Sequence, residues 1–87
     1  RVVSAPCLEW FDEQPAAYRE QVLPASVKAK VSVEAGLSLG WNKYVGPFGK
    51  SVSIEHFGAS ADAKTLYREF GMTAEAVVAA ARESIAN

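Results

Sequence analysis

The 87-residue chain has one cysteine, one histidine, one methionine and no long apolar run. With Cys7 alone, no internal disulfide can staple the fold, which points to a reducing compartment. His56 alone cannot build a histidine-rich metal site, and no Cys/His spacing resembles a zinc ligand set. The strictly apolar runs last only a few residues, far short of the ~20 that a membrane-spanning helix needs. Nine basic and ten acidic side chains give a net charge of −1. No basic excess is left to neutralise phosphates, so a dedicated nucleic-acid binder is not expected. No positively charged start precedes an apolar stretch, so no signal peptide is read.

What is present is globular in kind: 49% hydrophobic and 22% charged residues. At this size one small core is the limit. Scaling gives a folded surface of about 5,000 Å² against about 13,500 Å² unfolded. The chain opens on Arg1-Val2-Val3-Ser4 without a methionine, which reads as a piece of a longer protein already entering a strand. The composition suggests a soluble intracellular α/β segment.

Val2 and Val3 form a short strand that Pro6 stops. Two short helices are expected between Cys7 and Leu23, with Leu8 and Phe11 at i, i+3 and Pro15 in the first turn of the second. Tyr18 and Val22 share one face of that helix, and Leu23-Pro24 ends it. From Val27 to Glu34 the alternation is strict. Val27, Ala29, Val31 and Val33 form the inward set, and Lys28, Lys30, Ser32 and Glu34 face out, as on a half-covered strand. Trp41, Tyr44 and Val45 fit one helical turn, and Gly46-Pro47-Phe48-Gly49 is a turn. Ser51 to Phe57 is a third strand with Val52 and Ile54 inward.

Ser60 is read as an N-cap with Asp62 in the first turn of a helix carrying Ala63, Leu66, Tyr67 and Phe70, and Gly71 follows as its C′ residue. Thr73 caps the last helix, whose buried stripe is Val77, Ala80, Ala81, Ser84 and Ile85. The order of elements predicts an α/β layered fold.

Several fragments imitate catalytic motifs. Gly49-Lys50-Ser51 matches the end of a phosphate-binding loop, but Tyr44 stands where its first glycine belongs and a strand follows where a helix is needed. Gly58-Ala59-Ser60-Ala61-Asp62 resembles a nucleophile elbow, yet Asp62 replaces the last glycine and His56 precedes the serine. Without a second base no triad exists, and helix capping is the better role for Ser60. His56 reads as a hydrogen-bonded residue at a strand end. Cys7 near a helix start could be activated, but a packed, inert thiol is the better reading. Glu9, Asp12 and Glu13 lie within a turn and a half, and a solvated helix face explains them better than paired catalytic carboxylates. Trp10, Phe11 and Trp41 are large anchors for a core or an interface. Two functional readings survive: a non-catalytic domain of a larger enzyme, and a stand-alone α/β binding or adaptor module.

An ordered series of blocks then narrows the choice. Arg1-Val2-Val3-Ser4, Leu8-Glu9-Trp10-Phe11-Asp12, Tyr18-Arg19-Glu20 and Val22-Leu23-Pro24 are followed by Val31-Ser32-Val33-Glu34-Ala35-Gly36. Trp41, Tyr44-Val45-Gly46, Phe57-Gly58-Ala59-Ser60-Ala61 and Phe70-Gly71 complete it. Together they resemble the C-terminal domain of bacterial transketolase along essentially the whole chain. The resemblance implies a three-layer α/β/α fold with a mixed sheet. About three strands and four to five helices would be present here, as residues 1–87 of a domain whose first strands and helix are absent. One absent strand would lie between the strands at Val2 and Val31.

It further implies an enzyme that moves a two-carbon ketol unit between ketose and aldose phosphates in the non-oxidative pentose phosphate pathway. That enzyme is a cytoplasmic homodimer using thiamine diphosphate and a divalent cation, Mg or Ca. Its catalytic, cofactor and metal residues come from upstream domains. The family's Gly-Asp-Gly…Asn motif is missing from this chain, so no catalytic, cofactor-binding or metal residue is carried over. The implied role is support of the dimer or regulation, with the remaining domains and a second protomer as partners.

Overall fold

The computed structural model describes residues 1–54, 65, 66, 68 and 71–86. Helix α1 (Leu8–Asp12) and helix α2 (Ala16–Val22) come first. Strand β1 (Val31–Val33) leads through a 3₁₀ turn (Leu39–Trp41) and helix α3 (Asn42–Val45) to strand β2 (Lys50–Val52). Helix α4 (Ala74–Ala86) closes the chain. Thr65, Leu66 and Arg68 are also helical, as expected for that stretch. The expected Ser60 cap, Asp62 and His56 lie outside the described residues; of the strand expected from Ser51 to Phe57, Ser51 and Val52 are strand, Ser53 and Ile54 are not, and the remainder lies outside the described residues.

The two strands are parallel, with Val31 opposite Lys50 and Val33 opposite Val52. A parallel pair needs a crossover of a dozen or more residues, and the stretch from 34 to 49 supplies it. Hydrogen bonds continue past both strand ends: Lys50 N–H donates to Lys30 O at 2.9 Å and Ile54 N–H to Gly36 O at 2.9 Å. Helix α4 packs across both strands. The result is α/β, as expected.

Local signals placed the helix boundaries well. Pro15 sits just before α2 in extended backbone, its carbonyl accepting from Arg19 N–H at 3.1 Å, and the helix ends at Val22 ahead of Leu23-Pro24. Thr73 Oγ1 accepts from Ala76 N–H at 3.1 Å, an N-cap bond for α4. Gly46, with φ +74°, ends α3 in a conformation that side chains rarely adopt. Gly49 is required for a different reason: a Cβ there would collide with the carbonyl oxygen and the Cβ of Val45.

Several expectations need correction. Val2 and Val3 form no strand, and Val2 is 99% exposed. A strand holds only against a ladder partner, and none lies beside this segment among the described residues. Arg1 instead reaches to α2, its guanidinium donating to Gln21 O at 3.1 Å and Val22 O at 3.2 Å, two carbonyls of the helix's last turn.

The second correction concerns Val27 to Glu34. Only Val31–Val33 is strand, and the covered position is Ser32 (6% exposed), while Val33 is 51% exposed. Period two distinguishes the two faces of a strand but does not say which is covered. Ser32 tolerates burial because its hydroxyl lies 2.7 Å from that of Ser51, its ladder partner on β2.

Trp10 lies outside the core of this chain, 71% exposed, which leaves the interface half of its expected role. Its neighbour Phe11 is half-buried between aromatic rings. Among the described residues the buried set is small: Val45, Val52, Ser32 and Ser84. Ser84 belongs to the expected α4 stripe and its Oγ donates to Phe48 O at 2.6 Å, tying the helix to the turn before β2. Ile85, from the same expected stripe, is exposed instead.

Candidate functional site

Two surface features gather chemistry-bearing side chains. The first joins α1 to α3. Asp12, near the end of α1, accepts from Lys43 Nζ at 2.8 Å and from the Tyr44 hydroxyl at 2.9 Å to each of its oxygens. Below them runs a chain of rings. Phe11 stands 6.4 Å from Tyr18 and 6.2 Å from Tyr44, and Tyr44 stands 5.9 Å from Trp41. These separations fit tilted and edge-on aromatic contacts, which favour such geometry over parallel stacking. Lys43 Nζ also lies 5.0 Å from the Tyr44 ring centre.

Charge and hydrogen bonding set the ionisation here. The Lys43 ammonium donating to Asp12, helped by the Tyr44 hydroxyl, holds the carboxyl below its ordinary 3.8. The bond to Asp12 holds Lys43 above its ordinary 10.5. For Tyr44, partial burial first and the bond to Asp12 second push the phenol above its ordinary 10.0. Both Asp12 oxygens are engaged by these donors. The cluster is suited to clasping α1 against α3, and it offers no free base aimed at a substrate.

The second feature is an open groove of about 360 Å³. The start of α1 and the chain leaving β1 line it, with Cys7, Glu9, Glu34, Leu37 and Trp41 among the lining residues. Cys7 occupies the N-cap position of α1, half-buried, and its thiol donates to Glu9 Oε2 at 3.5 Å.

The expected candidates separate accordingly. Glu9, Asp12 and Glu13 do not act as a set: Glu9 meets the Cys7 thiol, Asp12 meets α3, and Glu13 ends α1. Lys50 opens β2, one residue before the strand read from the sequence, and its ammonium lies 3.3 Å from Glu83 on α4. His56 and Ser60 lie outside the described residues. The residues that the sequence reading did not single out are Lys43 and the Tyr44 hydroxyl as partners of Asp12. They lie 31 and 32 positions away, and no spacing signal links them.

Thiamine diphosphate and a divalent cation do not fit the described residues. No three of their His, Cys, Asp and Glu side chains cluster to hold a metal. The one loop resembling a phosphate cradle leads into β2 instead of a helix N-terminus.

Comparison with known proteins supplies what the geometry does not. The family model described as the transketolase-like TK C-terminal domain matches residues 1–73. The chain is 61% identical to the transketolase of Mycobacterium leprae over all 87 residues, which span 12% of that protein. It is 60% identical over 83 residues to the chloroplastic transketolase of Solanum tuberosum, covering 95% of this chain and 11% of that one. Among solved structures, transketolase from Leishmania mexicana superposes with a TM-score of 0.80 at 52% identity, covering 90% of this chain and 11% of the other. The chain thus spans about 12% of the length of the curated relatives it matches. On its blocks, its α/β architecture and these likenesses, the chain belongs to the transketolase C-terminal-domain family.

Proposed function

We propose that these 87 residues are a non-catalytic part of the C-terminal domain of a transketolase. The complete protein would transfer a two-carbon ketol unit from a ketose phosphate to an aldose phosphate in the pentose phosphate pathway. It would use thiamine diphosphate and a divalent cation held by residues outside this chain. The observation that carries the reading is 61% identity to a transketolase along the entire 87 residues. No catalytic role is assigned to any residue here.

The role proposed for this piece is support of the homodimer or regulation. Its surface supports a covered setting. Val2, Trp10, Leu39 and Val33 are exposed apolar side chains on it. Lys30 and Glu34 bond to β2, and parallel ladders alternate, so the backbone groups of Val31 and Val33 point to the opposite edge. The remaining domains and a second protomer are the proposed cover. A cytoplasmic location is proposed with the same reading, although plant relatives are named chloroplastic.

The test compares three proteins: the full-length enzyme, a version ending before Arg1, and the 87-residue chain alone. The full-length protein with thiamine diphosphate and magnesium transfers ketol units between sugar phosphates. The 87-residue chain does not, and calorimetry with the cofactor shows no saturable heat. Absence of ketol transfer by the full-length protein, or a saturable micromolar signal from the chain alone, overturns the proposal. If the shortened enzyme stays dimeric and fully active, support of the dimer is refuted.

A further inference from the structure

We draw no further inference here: the strongest candidate, the open groove between the start of α1 and the chain leaving β1, rests on a lone thiol and two exposed carboxylates, and nothing in the structure shows what covers it.

Discussion

Ser84→Ala is the most direct probe of what holds α4 to the sheet. Ser84 is 3% exposed, and its hydroxyl donates to the Phe48 carbonyl across 36 positions of sequence at 2.6 Å. Removing it deletes one hydrogen bond worth about 0.5–1.5 kcal/mol net, and about 1–3 kcal/mol where the carbonyl is left dry. Alanine is the better helix former, by up to about 0.7 kcal/mol, which offsets part of the loss. The balance is a local destabilisation of about 1–2 kcal/mol, a factor of roughly 5–30 in the opening equilibrium. Native-state hydrogen exchange reads this in a protein of any length, because it reports local opening. Amides in the middle of α4 are expected to exchange roughly 5–30 times faster in the variant, with α1 and α2 little changed. Glu83→Gln serves as the control. It alters a surface ion pair on the same helix, and such pairs contribute little. Unchanged α4 exchange in Ser84→Ala, or equal acceleration in Glu83→Gln, would refute the anchoring argument.

Four further outcomes follow from the same structure. Gly49→Ala forces a methyl into the backbone of Val45, and overpacking of this kind costs about 1–3 kcal/mol; an unaltered melting temperature would contradict it. Thr73→Ala removes the α4 cap and should cost about 0.5–2 kcal/mol, with Thr73→Ser restoring most of it in a circular-dichroism melt. Because the folded-state carboxyl of Asp12 titrates below its ordinary 3.8, its stabilising contribution is complete above that value and is lost as pH falls through the lowered one. Carbon-detected NMR should place the Asp12 midpoint under 3.8 and return it toward that value in Lys43→Ala; a midpoint at or above 3.8 in the parent would end the argument. Trp10→Ala should change the stability of this chain by no more than about 0.5 kcal/mol, as for surface positions generally. A loss of several kcal/mol in a denaturant titration of the chain would show that the ring is packed.

By itself the sequence determined the features whose causes lie within one turn of chain. Pro15 and Leu23-Pro24 bracket α2 because proline starts a helix cheaply and resists continuing one. Thr73 caps α4 through a hydroxyl three residues from its donor, and Gly46 ends α3 because its φ is +74°. The strand after the turn at Gly46-Pro47-Phe48-Gly49 was legible too, and β2 begins at Lys50. Family membership was legible because it rests on ordered blocks of residues, which need no coordinates.

The tertiary structure decided everything that depends on a distant partner. Alternation marked two faces from Val27 to Glu34, but coverage follows from what packs there, and Ser32 is shielded beside Ser51, 19 positions on. Val2 and Val3 have strand-forming side chains yet form no strand among the described residues, because a strand is a property of two segments and not of one. Asp12 looked like a member of an acidic helix face until folding brought Lys43 and Tyr44 to it. Ser84 reads as one small residue on an alanine-rich stripe, and only the approach of the turn at Phe48 makes its hydroxyl an anchor. Local chemistry sets where an element begins and ends, whereas the face it buries is set by neighbours that the chain reaches only once it has folded.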